Sequence, residues 1–290
     1  MQKPIQPAAE DEQTFSPAAK LDGLSEHQKQ EVESQSRPNA ALIHETVRAE
    51  GESELERAVW ALALSGLAAG LSMGFSLLVQ GKLHAVLAGT EAQPLIAPLG
   101  YTVGFLIVVL GRQQLFTENT LTPILPLLYN RDLTTLGRVA RLWVVVLVSN
   151  TVGTFLFASA LAHAGVFDQE AMRAFTDVSR PTLEGGFSIT LMRAVLAGWL
   201  IALMVWLLPA TEGSRPMVIL IITYVVGLCG LAHIIAGSVE CAFLVATGAA
   251  SWHQYLMVFY APTLLGNILG GVALVAVLNY GQVAPEIGHS

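Results

Sequence analysis

Gly111-Arg112-Gln113-Gln114-Leu115-Phe116-Thr117-Glu118-Asn119-Thr120 interrupts one long apolar run of this chain. Gly227-Leu228-Cys229-Gly230-Leu231-Ala232-His233-Ile234-Ile235-Ala236-Gly237-Ser238 interrupts another. A shift of 116 positions lays Gly111 on Gly227 and Thr117 on His233, and a shift of 117 lays Asn150-x-x-Gly153 on Asn267-x-x-Gly270 in the apolar run after each break. Broken helices at matching places in two halves of a membrane chain point to the place where a small solute is held.

The composition agrees with a membrane setting. Of 290 residues, 53% are hydrophobic and 13% charged, with a mean hydropathy of +0.56; a soluble domain carries about a quarter charged residues. Residues 1–56 hold five Lys/Arg and twelve Asp/Glu, so the whole formal charge of −7 sits there and the remainder sums to zero. Nothing is basic enough for nucleic acid. The N-terminus has no basic stretch leading into an apolar one, so it does not read as a cleaved signal peptide. Its Gln, Glu, Pro and Ser content predicts disorder over about 1–38, with a short helix over 39–56 closing the acidic tail. The membrane domain then covers 57–280, and 281–290 is a short C-terminal tail.

A spanning helix needs about 20 predominantly apolar residues. Apolar runs near 58–80, 97–128, 136–162, 186–208, 216–247 and 253–279 predict an all-α membrane protein of six transmembrane helices, with spans 2 and 5 broken. Each broken run reads as two half-helices joined by non-helical backbone, which survives at membrane depth only where protein or a wet cavity satisfies it. Pro123 and Pro126 discourage a regular helix just after the first break. Three spans per repeat make the two halves inverted relative to each other. Six spans put both termini on one face. Arg48, Arg57, Arg131, Arg138, Arg141 and Arg215 lie on that face, against Lys82, Arg173 and Arg180 on the other. This bias predicts cytoplasmic termini in the plasma (inner) membrane. Gly66, Gly70, Ser72 and Gly74 in span 1, and Gly266, Gly270 and Gly271 in span 6, provide small faces for close helix packing.

His233 is the first candidate for function. An uncharged imidazole at the second break can donate a hydrogen bond or a proton to an anion without trapping it; alternatively it packs and bonds a nearby carbonyl. Thr117 offers a hydroxyl to the same solute. The N-terminus of a half-helix behind each break favours negative charge, so a small anion is the expected solute. Arg112, Glu118, Arg193 and Glu240 fall within apolar runs, where each charge would cost about 2.5–3.5 kcal/mol at a helix centre, so interior pairing is expected. Arg112–Glu118 or Arg112–Glu240 pairs would pin the breaks, and Arg193 could draw anions into an outer vestibule. Asn150 and Asn267 can bond the freed backbone or reach the His. No GxSxG, HExxH, CxxC or phosphate loop occurs, so neither an enzyme nor a metal or cofactor is indicated.

The runs Leu115-Phe116-Thr117-x-x-Thr120, His233-x-Ile235-Ala236 and Gly266-Asn267-Ile268-x-Gly270-Gly271 resemble the formate/nitrite transporter family over about 57–280. Arg112-Gln-Gln-Leu-Phe-Thr-Glu-Asn-Thr and Gly237-Ser238-Val239-Glu240 look like its YfdC-like branch. The resemblance implies an aquaporin-like protomer, a homopentamer in the lipid bilayer, and one pore per protomer. It further implies passage of formate, nitrite or a similar small anion, with or without a proton. Thr117 and His233 match the family's central Thr and His. Leu115, Phe116, Tyr101, Phe105, Ile201 and Val226 match its two apolar constrictions, and Asn267 the Asn that supports the His. Members typically read Glu-His-Ser-Ile-Ala-Asn where this chain has Ala232-His233-Ile234-Ile235-Ala236-Gly237, and an Asn expected in span 4 is Gly198. Other readings are a channel for a neutral solute such as water, ammonia or a small alcohol, and a non-conducting regulatory membrane protein.

Overall fold

A computed structural model describes Ser25, residues 38–276, Leu278 and residues 281–282; the expected disorder over 1–38 and the tail at 281–290 therefore lie almost wholly outside the described residues. The chain divides after Pro38, and the membrane helices belong to the unit that begins at Asn39. No strand occurs among the described residues.

The first helix, α1 (Ala40–Glu56), starts where Asn39 Oδ1 accepts the Leu42 N–H at 2.8 Å, an N-cap that satisfies one otherwise unpaired donor. Its buried face is His44, Val47, Gly51 and Leu55, the three-to-four spacing of one helical stripe. It then leads into α2 (Val59–Val86), whose 28 residues span about 40 Å at 1.5 Å per residue. The chain continues as α3 (Gln93–Leu110), α4 (Ile124–Asn130), α5 (Leu133–His163), α6 (Gln169–Ser179), α7 (Gly186–Leu207), α8 (Arg215–Leu228), α9 (Ile234–Ala246) and α10 (Gln254–Ala273). Among the described residues, five helices are long and apolar enough to cross a bilayer: α2, α3, α5, α7 and α10. A further crossing near 216–247 requires α8 and α9 together.

These helices are built inside out. On α5, Val144, Val148, Val152 and Leu156 are exposed at every fourth residue while Asn150, Gly153 and Thr154 are buried. Such a stripe is stable only against lipid or another protomer. Glycines set the interior spacing. A Cβ at Gly70 of α2 would lie 2.1 Å from the Asn150 carbonyl oxygen of α5, and one at Gly198 of α7 would lie 2.5 Å from that of Asn267 on α10. The same carbonyl-on-glycine crossing thus occurs in both halves, with the two asparagine carbonyls related by the 117-position shift. Gly198, read from sequence as a missing Asn, is occupied by this approach, and no side chain fits there.

The two breaks differ. After α8, residues 229–233 are irregular and a regular 13-residue helix α9 follows, as expected. After α3 there is no regular half-helix; a three-residue 3-10 segment (Glu118–Thr120) and a turn over 121–123 lead to α4. Pro123 caps α4 and Pro126 lies within it, so the hydrogen bonds that would extend a helix back toward Thr117 lack donors. The helix dipole invoked at both breaks therefore applies to the second alone.

Helix α1 packs across the face that carries the first break. A Cβ at Gly51 would lie 2.0 Å from the Thr122 carbonyl oxygen, His44 stacks edge-on to Trp206 with ring centroids 6.3 Å apart, and the Arg48 guanidinium sits 5.0 Å over the Tyr129 ring. Arg141 of α5 donates to the Leu55 carbonyl at 2.6 Å, placing a cation at the helix C-terminus where the dipole favours it. Gly51→Leu should therefore release α1: hydrogen exchange over 40–56 should rise to the rate of an unpacked helix while α5 stays protected, and unchanged exchange would contradict this packing. Burial holds the His44 imidazole below the ordinary 6.5, with the Glu45 carboxylate opposing and Arg48 reinforcing the shift. A depressed histidine favours the packed state above the ordinary value and loses that contribution as pH falls below it. With the intrinsic pH dependence of amide exchange divided out, protection over 40–56 should fall as pH drops below about 6.5, and His44→Leu should flatten that response.

Candidate functional site

His233 is the N-cap of α9. Its Nδ1 accepts the backbone N–H groups of Ile235 and Ala236 at 3.3 and 3.2 Å. An acceptor nitrogen carries no proton, so the single proton of the neutral ring lies on Nε2. Nε2 is 2.7 Å from Thr117 Oγ1; it donates, and the hydroxyl oxygen accepts. The hydroxyl's own hydrogen must then point away from the imidazole, leaving a donor for something else. The two residues matched by the 116-position shift thus touch each other. Both are buried, at 0% and 1% exposure for Thr117 and His233.

Two asparagines hold the breaks in this arrangement. Asn150 Oδ1 accepts the Phe116 N–H at 2.9 Å, and its Nδ2 donates to the Gln114 and Gly66 carbonyls at 2.8 and 2.7 Å. Asn267 Oδ1 accepts the Ile234 N–H at 2.8 Å, and its Nδ2 donates to the Ala232 and Ala194 carbonyls at 2.9 and 2.8 Å. Each amide satisfies one N–H and one C=O of a break and ties the break to α2 or α7. A stranded buried group costs about 1–3 kcal/mol, and truncation of either Asn strands three. Neither asparagine reaches the imidazole; Asn267 supports His233 through the backbone on both sides of it.

Apolar side chains enclose the pair. The Phe105 ring stands edge-on to the imidazole with centroids 4.9 Å apart, and Tyr101 lies 5.3 Å beyond it. Phe105, Leu115, Ile201 and Val226 are fully buried, with Phe116 at 1% and Tyr101 at 5% exposure. A cavity of about 270 Å³ approaches from the face opposite α1 and reaches His233, Tyr101 and Val226. Another of about 280 Å³ enters beside α1 and ends at Leu115. Phe105, Phe116, Thr117 and Ile201 line neither cavity.

The charges do not pair as the sequence suggests. Arg112 is 79% exposed and meets Glu50 of α1 at 3.1 Å, not Glu118 or Glu240. Its left-handed backbone (φ 50°) turns the chain out of α3 toward α1, so it is not an interior charge. Glu118 follows Thr117 and lines the cavity beside α1; its buried Oε1 has no hydrogen-bond partner among the described residues. Glu240 and Arg193 line the opposite cavity; Thr182 donates to Glu240 Oε2, and Arg193 donates to the Glu184 carbonyl at 3.3 Å. Sequence reasoning missed the contact between α1 and the first break. Gln114 Nε2 donates to Glu54 at 2.7 Å and Gln114 Oε1 accepts from Asn119 at 3.0 Å. The one available signal was two adjacent polar amides, Gln113 and Gln114, at the end of an apolar run.

The profile of the formate/nitrite transporter family matches residues 41–281. The chain is 40% identical over 262 residues to inner membrane protein YfdC of Escherichia coli (strain K12), covering 90% of this chain and 84% of that protein. It is 25% identical over 249 residues to the formate channel BtFdhC of Bacillus thuringiensis, covering 80% and 91% of the two chains. A solved pentameric formate channel with formate bound has the same fold, with a TM-score of 0.67 at 17% identity over 78% of this chain and 98% of that one. So does an FNT family ion channel, with a TM-score of 0.69 at 18% identity over 83% and 98%. This membrane chain, all-helical among its described residues, belongs to the formate/nitrite transporter family.

Proposed function

We propose that this chain conducts small monovalent weak-acid anions of the formate or nitrite type, through a pore in each protomer of a homopentamer in the inner membrane. On this reading six crossings form two inverted threes, with both termini cytoplasmic. The observation that supports it is the buried Thr117–His233 hydrogen bond, walled by apolar side chains, with one cavity lined by His233 and another by Leu115 and Glu118. The family's formate channels agree with that solute class.

Magnitudes decide the form in which the solute crosses. Moving a bare carboxylate-sized anion into a low-dielectric passage costs on the order of 20 kcal/mol by idealised solvation. Protonating a carboxylic acid of pKa near 4 at pH 7 costs about 4 kcal/mol. The neutral acid is the cheaper traveller, and the Thr117 hydroxyl can donate to its carbonyl oxygen. The sequence reading gave His233 the option of relaying the proton. Both ring nitrogens are engaged, so His233 here orients Thr117 and donates, while the proton enters from the cavities.

Purified protein in liposomes should take up labelled formate and nitrite, faster under an inward proton gradient. His233→Phe removes the cap of α9 and the donor to Thr117 together and should lower flux about 100-fold, the scale seen when one preorganised donor is lost. Thr117→Val removes two neutral hydrogen bonds, the one accepted from His233 and the one donated to the solute, and should cost about 30-fold. Flux indifferent to pH would favour a neutral solute instead; no uptake of either anion by folded protein would reject the proposal.

A further inference from the structure

The weak-acid reading needs a proton donor on one side of the constriction and an acceptor on the other, and His233 is poorly placed to be either. A second proton on Nδ1 would break two backbone hydrogen bonds that start α9. The proton on Nε2 is committed to Thr117 at 2.7 Å. Each cavity, however, is lined by a carboxylate carried on the segment that follows a break. Glu118 is one residue past Thr117, and Glu240 lies two turns along α9 from His233.

We propose that Glu118 and Glu240 are the residues that exchange protons with the travelling acid, one on each side of the apolar constriction. This rests on the weak-acid reading above and adds to it the groups that load and unload the proton. Glu240 shares its cavity with Arg193 of α7, His233 and Tyr101 of α3, and Cys241 is its neighbour on α9. Among the described residues no ion pair joins Arg193 to Glu240 in that cavity. The guanidinium is therefore available to an entering anion, and Thr182 occupies one carboxylate oxygen of Glu240. Glu118 faces Glu50 and Glu54 of α1, Arg112 of its own segment and Arg215 of α8 across the other cavity. Arg112 is taken by Glu50, and Arg57 meets Glu54 at 3.1 Å, so Glu118 keeps a buried oxygen with no partner among the described residues.

The chemistry follows from proximity. Two carboxylates confined side by side cannot both stay ionised, so they share one proton. A formate ion drawn in by Arg193 forms such a pair with Glu240, and the proton comes from water in that cavity. The Glu240 O–H bond breaks as the formic acid O–H bond forms, leaving the glutamate ionised to recharge from the cavity. Formic acid crosses past Thr117. Beyond Leu115 its O–H proton passes to the Glu118 carboxylate, formate leaves, and Glu118 releases the proton to water. One proton accompanies one anion, and the sequence runs equally well in reverse. A permanently ionised anion such as chloride or nitrate meets the same glutamates, takes no proton and is turned back.

Full-length protein carrying E118Q/E240Q is the test, with E118D/E240D as the variant that restores a carboxyl group. Wild type should take up formate faster under an inward proton gradient. E118Q/E240Q should lose that acceleration about tenfold or more and flatten the pH profile, while E118D/E240D retains both. Infrared difference spectra on adding formate should show a change in protonated-carboxyl bands in wild type that is absent in E118Q/E240Q. An intact gradient response in E118Q/E240Q overturns the proposal and leaves the weak-acid pore standing. Wild type that takes up no formate yet shows the carboxyl change would retain the glutamates as proton partners and remove the pore reading. Wild type showing neither rejects both.

Discussion

A bilayer offers no water to the backbone N–H and C=O groups freed where a spanning helix stops, so each must find a partner in the protein. The fold depends on how this chain meets that requirement. Asn150 and Asn267 each present one acceptor and two donors, and each spends them on a break and on the neighbouring helix. The glycines at 70 and 198 let those helices come close enough for the amides to reach. With the breaks fixed, two N–H groups at the start of α9 turn to His233 Nδ1, and that decides which ring nitrogen holds the proton. The donor offered to Thr117 follows from satisfying the backbone.

Much of this was legible in the chain. The 116- and 117-position shifts located both breaks and both asparagines, because a repeat must keep the residues that satisfy its freed backbone. They also aligned Thr117 with His233, which prove to be in contact. Apolar runs located the helices well, since length and hydrophobicity set a membrane span directly. What the runs did not show is the asymmetry between the breaks. Pro123 and Pro126 signal a disturbance, but whether it yields a bent half-helix or a 3-10 turn depends on packing against α1 and α5.

The charges were the least readable part. A formal charge in an apolar run suggests burial and pairing, yet Arg112 needs only one left-handed residue to leave the interior and meet Glu50. That partner belongs to α1, a helix whose packing is tertiary and carries no sequence period linking it to the break. Glu118 and Glu240 stay at the cavities, and Gln114 joins α1 to the first break through Glu54. The two cavities are therefore chemically unequal: Arg193 and Glu240 both line one, and the other is rimmed by Glu50 and Glu54 of α1.

The state of one ring carries the account, and nitrogen-15 NMR of histidine-labelled protein reads it. The chain has seven histidines, so the His233 signals are assigned by their loss in His233→Asn. At neutral pH the ring should carry a single proton, on Nε2, with Nδ1 showing the shift of a nitrogen that accepts hydrogen bonds, and Thr117→Val should move the Nε2 signal alone. A proton on Nδ1, or on both nitrogens, would contradict the account.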